Sequence, residues 1–373
     1  MALSFMEGNE AVARGAIAAG CRFFAGYPIT PASTLFSAML ELLPPAGGIC
    51  LQGEDEIASI GQCLGAAMGG MKVMTATSGP GISLYSEQIS FAVGSEIPIV
   101  IVDVQRLGPS TGSATRGADG DIQFLRWGSS GGLPVIVLAP VNVADCFSLT
   151  IHAFNLAEQY RCPVFLASNK EIGMTRESVD LSALETPEII GRAAPPPDEP
   201  FRPFHVAEGR TVPGFLPMGG DVIVRQTSST HGPDGYITTN KEEIAGNIKR
   251  LEQKVLSAAD QFAFYESRIE KDADSLIIAY GVTARAAEVV YDELKRAAKP
   301  VSLLVLKTLW PVPEAVVRSA AEKVKRVVVV EMNLGLYARE IQRILPDRRV
   351  DFFGRMDGDL ISPRKIREVI AHG

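Results

Sequence analysis

The sequence predicts an α/β protein built on a doubly wound parallel sheet, with a second, smaller α/β domain toward the C-terminus. Three observations lead to this prediction: short apolar runs alternate with amphipathic segments, the alternation stops in a proline-rich stretch, and it then resumes. Nearly continuous apolar runs are typical of strands buried on both faces of a parallel sheet. Strands that alternate with helices imply right-handed crossover connections.

The first domain is predicted over residues 1–185. Its strand-like runs are residues 22–26, 72–76, 97–104, 135–138 and 164–168. Helical patterns lie at residues 9–19, 33–43, 56–71, 83–94 and 143–160. Ligands of such sheets collect at the carboxyl ends of the strands, so we expect a site in the loops that follow them.

A connector and a second domain complete the chain. Residues 186–270 are predicted to be a connector. It is rich in proline and glycine and shows no regular pattern up to residue 236, and a polar helix is predicted at residues 241–268. The second domain is predicted at residues 271–373. Its strand-like runs are residues 275–280, 301–306 and 327–331, with helical patterns at 284–298 and 313–324.

Composition excludes several classes of function. The chain is 46% hydrophobic and 21% charged, with a net charge of −7, which disfavours a nucleic-acid or anionic-membrane surface. No apolar run reaches the roughly 20 residues that span a bilayer. Residues 1–10 carry acidic residues and no basic region, unlike a signal peptide. We therefore expect a cytoplasmic protein.

The metal-binding residue types show no ligand spacing. The five cysteines contain no CxxC pair, and the four histidines are scattered. The odd number of cysteines also argues against a complete disulfide framework. Any redox group is therefore expected to come from a partner.

The first segment of interest is residues 26–31, with the sequence GYPITP, which follows a predicted strand and opens a helix. Thr30 is predicted to be the N-cap, with Pro31 at the first helical position. A well-capped turn explains this pattern without any function. Alternatively, the Thr30 hydroxyl at the carboxyl end of a strand meets an anionic substrate.

The second segment is the helix that begins at Glu56 and is lined with alanine and glycine. Acidic residues at a helix N-terminus are stabilised by the macrodipole, which is the simplest explanation of this residue. The helix carries little charge, however, and is predicted to be buried, where an unpaired carboxylate is costly. Glu56 is therefore a candidate to bond a ligand nitrogen.

The third segment is residues 75–81, with the sequence TATSGPG, again a strand, a glycine loop and a helix start. It lacks both the GxxxxGK[ST] and the GxGxxG spacing, which disfavours a generic phosphate cradle. Its glycines are predicted to let a ring or carboxylate approach the backbone closely.

Taken together, the three segments resemble the pyrimidine-binding domain of thiamine-diphosphate enzymes. The resemblance rests on the order of the segments, on the spacing between Glu56 and Gly65, and on the sequence TSGPG at residues 77–81. Further stretches narrow the resemblance to the alpha subunit of 2-oxoacid:ferredoxin oxidoreductases. They are GYPITP at 26–31, VDVQR at 102–106, GPSTG at 108–112, AFNLAE at 153–158 and KTLWP at 307–311. The resemblance covers nearly the whole chain and implies a pyrimidine-type domain followed by a transketolase-C-terminal-like domain.

The resemblance implies roles for individual residues. Glu56 would pair with N1′ of the aminopyrimidine and activate the cofactor, Thr30 would contact the substrate, and Arg106 would lie near the substrate carboxylate. A guanidinium fork suits a carboxylate, although a strand-end arginine paired with a neighbouring aspartate is the alternative. The implied cofactor-binding residues are Glu56, Pro28, Ile29, Thr77, Ser78 and Gly79.

The resemblance also implies a partner. The family binds Mg²⁺ and the diphosphate through a Gly-Asp-Gly motif and a downstream asparagine. The nearest match here, Asp119 to Asp121 with Asn142, follows a glycine-rich loop rather than a strand and is rejected. Mg²⁺ and a [4Fe-4S] cluster are therefore expected on a beta subunit, and this chain alone is expected to be inactive.

Some positions depart from the family pattern. Asn169 stands where relatives often have an acidic residue, and GMTRE at 173–177 replaces a segment that contains histidine. Leu336 stands where relatives tend to have glutamine. His231, in the connector, is either a site residue or a turn histidine.

The implied reaction is oxidative decarboxylation of a 2-oxoacid with coenzyme A, with electrons passed to ferredoxin. We favour 2-oxoglutarate, which gives succinyl-CoA, because residues 54–56 and 106–112 look closest to that branch. The alternatives are a branched-chain or aryl 2-oxoacid, a transketolase- or decarboxylase-type subunit without electron transfer, and a regulatory relic of the fold. A complete NAD-dependent dehydrogenase is disfavoured because no GxGxxG follows the first strand.

Overall fold

The computed structural model describes residues 3–197 and 199–372. The strands in these residues are β1 Ser4–Glu7, β2 Phe23–Gly26, β3 Ile49–Gln52, β4 Val73–Thr77, β5 Ile99–Gln105, β6 Ile136–Leu138, β7 Pro163–Asn169, β8 Arg176–Val179, β9 Tyr265–Arg268, β10 Ser275–Tyr280, β11 Ser302–Leu306, β12 Thr308–Trp310, β13 Arg326–Glu331 and β14 Arg349–Gly354. The α-helices are α1 Gly8–Ala18, α2 Ser33–Leu42, α3 Glu56–Met68, α4 Gly79–Leu84, α5 Ser86–Gly94, α6 Ile122–Trp127, α7 Val143–Tyr160, α8 Lys170–Gly173, α9 Lys241–Leu256, α10 Thr283–Arg296, α11 Glu314–Ala321, α12 Ala338–Ile344 and α13 Pro363–Ala371. Short 3-10 helices lie at Pro44–Ala46, Leu181–Ala183 and Ala259–Phe262.

The larger sheet has the strand order β12-β6-β7-β5-β4-β2-β3. All neighbours in it are parallel except β12, which pairs antiparallel with β6. The chain runs from β2 outward to β3 and then returns to β4 on the other side of β2. This reversal makes the gap between β2 and β4 a topological switch point, where open α/β sheets bind ligands. The predicted doubly wound parallel sheet is confirmed.

Burial explains why these strands were recognisable in the sequence. Every residue of β4, β5 and β7 is buried, because helices cover both faces of the sheet. A strand in that position has no polar face and reads as a continuous apolar run.

The smaller sheet has the order β14-β13-β10-β11-β9 and is parallel except for its edge strand β9. It forms the predicted second α/β unit. β1 and β8 form a separate antiparallel ribbon. None of the helices in the described part of the chain combines the length and apolar character needed to cross a bilayer.

Two helix predictions need correction. The helix predicted at 241–268 is wrong in its last part, since α9 ends at Leu256 and residues 265–268 form β9. Phe262 is buried in the core, which ends the exposed helical face, and β9 satisfies its backbone groups by pairing with β11. The helix predicted at 83–94 is interrupted at Tyr85, where α4 ends and α5 begins.

Strand β12 links the two units, which the sequence did not predict. Thr308 lies opposite Leu138 and Trp310 opposite Val137, so a segment from the C-terminal part of the chain extends the larger sheet. The Trp310 side chain is buried, and its Nε1 donates to the backbone oxygen of Ile122 at 3.3 Å.

The connector at 186–236 contains no strand or helix among its described residues and makes one isolated bridge, between His231 and Ile237. The Met218 amide donates to the Met68 oxygen at 2.9 Å, and the Gln226 side chain donates to the Ser95 oxygen. Met68 and Ser95 precede β4 and β5. The connector therefore lies at the N-terminal edge of the parallel strands, opposite their carboxyl ends.

A buried carboxylate fixes helix α9 to that same edge. Glu96 is completely buried, and its carboxylate pairs with Arg250 at 2.6 Å and with Lys254 at 2.8 Å. Its backbone has a φ of 53°, a left-handed conformation that only close tertiary contacts make tolerable for glutamate. Burial would raise the pKa of Glu96, but the neighbouring Lys254, Arg250 and Arg161 outweigh it and lower the pKa to about 2.

Candidate active site

The predicted site residues lie in three loops at the carboxyl edge of the larger sheet and at the start of α3. Residues 28–30 follow β2, residues 78 and 79 follow β4, and Arg106 follows β5. Glu56 is the first residue of α3, which leads from β3 to β4. Since β2, β4 and β5 are adjacent, the fold brings these side chains to the switch point of the sheet.

The Glu56 carboxylate has no protein partner. Asp55 is the N-cap of α3 and accepts from the Ala58 amide at 2.7 Å, so the capping role belongs to Asp55. Glu56 is 8% exposed, and its side chain makes no hydrogen bond or ion pair with any residue that the structure describes. A carboxylate on a largely buried side chain without a partner is costly, which favours a ligand at this position.

Gly81 makes the space in front of this carboxylate. A Cβ at residue 81 would lie 1.9 Å from Thr77 Oγ1 and 2.9 Å from Glu56 Oε1. Both distances are shorter than non-bonded atoms tolerate. Glycine at this position therefore lets the β4 loop and the start of α3 approach each other closely.

Two hydroxyls beside Glu56 also lack good partners. Ser78 Oγ is buried without a hydrogen bond among the described residues, although Ser78 is the N-cap of α4. Thr77 Oγ1 makes one long hydrogen bond, to the Ser78 oxygen at 3.5 Å, and lies near the Tyr85 hydroxyl. An unsatisfied buried hydroxyl costs about 1–3 kcal/mol. One carboxylate, the free Ser78 hydroxyl and the weakly bonded Thr77 hydroxyl fit a polar ring with nitrogen donors and acceptors, such as an aminopyrimidine.

Arg106 and Thr30 are in direct contact. Arg106 Nη1 donates to the Thr30 backbone oxygen at 2.6 Å. Arg106 is 6% exposed, and its Nε has no hydrogen-bond partner in the described residues. Burial lowers the pKa of the guanidinium, and the nearby Asp121 carboxyl opposes that change. Asp121 thus acts on Arg106 at longer range than an ion pair.

The prediction that Thr30 is an N-cap is wrong. Helix α2 begins at Ser33 with Ala32 as its N-cap, and the Thr30–Pro31 peptide is cis. The turn is held by Asn9, whose Nδ2 donates to the Pro31 oxygen at 3.0 Å and to Thr34 Oγ1 at 2.8 Å. Because a distant side chain fixes the turn, the Thr30 side chain is left exposed at the edge of the sheet.

Pro28 is exposed and Ile29 is half-buried against the core, both on the same loop. Gly79 lies close to Asp121, since a Cβ at residue 79 would stand 3.6 Å from Asp121 Oδ2. The loops after β4 and β5 therefore meet at Gly79.

Sequence reasoning missed a buried pair of carboxyls beneath these loops. Asp103, in β5, is fully buried, and no side-chain or backbone donor reaches either of its oxygens. Asp103 and Asp121 influence each other electrostatically. Burial and Asp121 raise the pKa of Asp103 well above its usual range, and burial raises that of Asp121 to about 6. The signal in the sequence was one acidic residue in an apolar strand.

The other residues of the sequence analysis have structural partners. Asn169 Nδ2 donates to Asp119 Oδ1 at 2.7 Å, and Asn142 caps α7 by accepting from the Asp145 amide at 2.8 Å. Across residues 3–197 and 199–372, no three acidic, cysteine or histidine side chains are grouped to hold a metal. Leu336 is half-buried, and its backbone oxygen accepts from Gln123 at 2.8 Å.

His231 lies in the connector at the opposite edge of the sheet. It is buried and stacks on Phe204 with ring centroids 3.8 Å apart. Its Nδ1 lies 3.1 Å from the Gly232 oxygen. These contacts give His231 a packing role in the connector.

Two family models match the chain. Residues 14–250 match the thiamine-diphosphate-binding model of pyruvate flavodoxin/ferredoxin oxidoreductases. Residues 273–366 match core domain II of pyruvate:ferredoxin oxidoreductase.

Relatives of known name match over nearly the whole chain. The 2-oxoglutarate synthase subunit KorA of Methanothermobacter marburgensis is 41% identical, over 97% of this chain and 96% of that protein. The ketoisovalerate oxidoreductase subunit VorB of the same organism is 33% identical, over 99% of this chain and 98% of that protein.

A solved structure has the same fold. The 2-oxoglutarate:ferredoxin oxidoreductase from Magnetococcus marinus, solved with 2-oxoglutarate, coenzyme A and succinyl-CoA bound, superposes with a TM-score of 0.92 at 31% identity. The match covers 99% of this chain and 65% of that chain, so this chain spans about two thirds of its length.

Proposed function

This chain belongs to the pyruvate flavodoxin/ferredoxin oxidoreductase family, and on that premise we propose that it is the subunit that activates thiamine diphosphate in a 2-oxoacid:ferredoxin oxidoreductase. The proposed reaction is the oxidative decarboxylation of 2-oxoglutarate with coenzyme A, which gives succinyl-CoA and CO₂ and passes two electrons to ferredoxin.

The observation that carries the proposal is the Glu56 side chain, which is only 8% exposed at the switch point and has no hydrogen-bond or ion-pair partner among the residues that the structure describes. In the proposed arrangement Glu56 accepts a hydrogen bond from N1′ of the aminopyrimidine, and the Thr77 and Ser78 hydroxyls bond the polar atoms of the same ring. Pro28, Ile29 and Gly79 form the remaining wall. When bound, thiamine diphosphate supplies the nucleophilic carbon and the electron sink that decarboxylation of a 2-oxoacid requires.

Arg106 and Thr30 are proposed to receive the substrate. Arg106 has N–H groups beyond the one that bonds the Thr30 oxygen, and a guanidinium pairs well with the carboxylate of a 2-oxoacid. The Thr30 hydroxyl is exposed at the same edge. The two residues would orient the substrate carboxylate without taking part in bond breaking.

The rest of the site is proposed to lie on a beta subunit, which would bind Mg²⁺ and the diphosphate and hold a [4Fe-4S] cluster. The exposed apolar side chains beside the crevice, Tyr27, Leu51, Ile57 and Leu84, support a partner surface there. All five cysteines are free, as is usual in the reducing cytoplasm, where we place the complex.

The role of Glu56 is tested with Glu56→Gln in the complex assembled with its partner subunits. Glutamine keeps the shape but loses the charge, and we expect activity to fall about 10²–10⁴-fold, as for loss of a proton-transfer group. Glu54→Gln, an exposed neighbour on the same turn, is the matched control. Near-normal turnover of Glu56→Gln would refute the proposal.

Substrate and electron transfer are tested separately. The higher identity to a 2-oxoglutarate synthase subunit than to a ketoisovalerate oxidoreductase subunit favours 2-oxoglutarate. We expect its kcat/KM to exceed that of 2-oxoisovalerate in reduction of methyl viologen that depends on coenzyme A. Turnover of a 2-oxoacid without viologen reduction would instead indicate a decarboxylase-type enzyme.

A further inference from the structure

The two strands that flank the candidate cofactor site separate inside the sheet. β2 and β4 pair only at Phe23 with Val73 and at Phe24 with Met74. Beyond these positions both strands continue, β2 paired with β3 along its whole length and β4 paired with β5 to its last residue. Each strand therefore keeps its outer neighbour and loses its inner one, and the crevice at the switch point begins within the sheet.

A buried threonine occupies the place where the strands separate. Thr75 is the first residue of β4 beyond the paired positions, and Ala25 is the first residue of β2 beyond them. Thr75 Oγ1 donates to the Ala25 oxygen at 2.8 Å, and both residues are fully buried. At this level of the sheet a side-chain hydroxyl joins β4 to β2, so the threonine side chain sets the distance between the two strands.

A buried tyrosine holds that hydroxyl. Tyr85 Oη lies 2.9 Å from Thr75 Oγ1. The single hydroxyl proton of Thr75 goes to the Ala25 oxygen, so Tyr85 is the donor in this second contact. Tyr85 stands between α4 and α5, and its backbone amide donates to the Gly81 oxygen at 3.3 Å. A directed chain of hydrogen bonds thus runs from Tyr85 through Thr75 to Ala25 and joins α4 to both strands.

Helix α3 is attached at the same point. Cys63 Sγ lies 3.3 Å from the Met74 oxygen and 3.7 Å from the Ala25 oxygen. Cys63 comes two helical turns after Glu56 and lies on the same face of α3. The helix that presents the Glu56 carboxylate is therefore held against the two strands where they separate. We call Ala25, Cys63, Thr75 and Tyr85 the crevice floor.

The crevice floor lies next to the polar groups of the candidate site. Thr75 and Thr77 are two residues apart in β4, so their side chains point to the same face of the sheet. Gly81, which accepts from the Tyr85 amide, is also the residue whose added Cβ would collide with Thr77 and Glu56. A shift of the crevice floor would therefore move these groups relative to one another.

We propose that Thr75 and Tyr85 are positioning residues of the cofactor site, whose hydrogen-bond chain fixes the width of the crevice between β2 and β4. That width sets the spacing between the loop after β2, which carries residues 28–30, and the loop after β4, which carries Ser78 and Gly79. Both positioning residues are fully buried, so they act on the cofactor only through these loops. The inference rests on the proposed function, because it assigns the crevice to the aminopyrimidine ring.

The test measures the Kd of thiamine diphosphate by calorimetry, with the assembled complex freed of cofactor. Thr75→Val and Tyr85→Phe keep the shapes of the side chains but remove one hydroxyl each. Each should raise the Kd about tenfold or more. The kcat at saturating cofactor should stay within about threefold of wild type, because neither side chain reaches the reacting atoms. Thr75→Ser restores the hydroxyl and should bring the Kd back to within about threefold of wild type.

Thr308→Val is the matched control. It removes a buried threonine hydroxyl that donates to a backbone oxygen, that of Phe262, at the opposite end of the larger sheet. It should lower stability but leave the Kd of thiamine diphosphate unchanged. An unchanged Kd in Tyr85→Phe, or an equal rise in Thr308→Val, would overturn the proposal.

The double variant of Thr75→Val and Tyr85→Phe tests whether the two hydroxyls act as one chain. Its Kd should be close to that of the weaker-binding single variant, and a rise equal to the product of the two single effects would overturn the chain. A wild-type complex that binds no thiamine diphosphate would instead overturn the proposed function. Tight binding by wild type and by all variants alike would overturn only the role of the crevice floor.

Discussion

Replacement of Glu96 with glutamine should weaken the attachment of helix α9 to the larger domain and destabilise the folded chain. The substitution keeps the size of the side chain but leaves Arg250 and Lys254 facing a neutral group in a dry environment. The pKa of Glu96 falls from 4.5 to about 2 in the folded chain. At about 1.4 kcal/mol for each pH unit between these values, the ionised form contributes about 3 kcal/mol to stability at pH 7.

The sign of the pH dependence follows from the lowered pKa. A carboxylate that is more acidic in the folded chain stabilises it fully above the unfolded value of 4.5, and this contribution is lost as the pH falls toward 2. The difference between wild type and Glu96→Gln should therefore be about 3 kcal/mol at pH 7 and about half of that or less at pH 3.

The assay is urea unfolding of the purified chain, followed by circular dichroism at the two pH values. Glu10→Gln is the matched control, because Glu10 pairs with Arg14 at 2.8 Å on an exposed helix face. Exposed pairs of this kind contribute about 0.5 kcal/mol or less. The reasoning is refuted if Glu96→Gln destabilises the chain no more than the control, or equally at both pH values.

Three further substitutions test other contacts. Gly81→Ala should abolish binding of thiamine diphosphate to the assembled complex, measured by calorimetry, because the added Cβ would collide with Thr77 and Glu56. The control is Gly61→Ala, where nothing lies within 4 Å of the added Cβ. This variant should bind the cofactor normally and gain up to about 1 kcal/mol of stability. Thr308→Val should cost about 2 kcal/mol in urea unfolding, since Thr308 Oγ1 donates to the Phe262 oxygen and accepts from the Phe264 amide, whereas the exposed Thr239→Val should have almost no effect. His231→Ala should lower the melting temperature by removing the stack on Phe204 but leave the KM for the 2-oxoacid unchanged; a raised KM would give His231 a part in the site.

The elements that the sequence predicted best are those whose environment is uniform along their length. β10 was predicted at residues 275–280 and observed at Ser275–Tyr280, with five of its six residues buried. A strand buried on both faces leaves an unbroken apolar run, and no other part of the chain is needed to recognise it.

The missed strands depend on distant partners. β12 is three residues long, and β6 on the other α/β unit decides that it is a strand. β9 was assigned to a helix because its polar residues continue the pattern of α9, yet pairing with β11 determines its structure. Pairing of this kind leaves no local signal in so short a segment.

The candidate site was predicted in the same uneven way. Glu56 was selected as a candidate because a carboxylate at the start of an apolar helix conflicts with its surroundings, and the fold places Arg106 and Thr30 at the same edge. The carboxyl pair was missed because Asp103 and Asp121 come from a strand and a later helix start, and only the tertiary structure brings them near enough to influence each other. The cap at Thr30 failed because Asn9, far away in sequence, fixes that turn.

The strand β12 also limits how the chain can move. A rotation of the C-terminal unit relative to the larger sheet would break the pairing of Thr308 and Trp310 with β6. It would also expose the buried Trp310 side chain to solvent. Because this pairing joins the two units, we expect them to move together as one body. We therefore expect substrate entry and product release to depend on movement of this chain relative to its partner subunits. A hinge within the chain is not required.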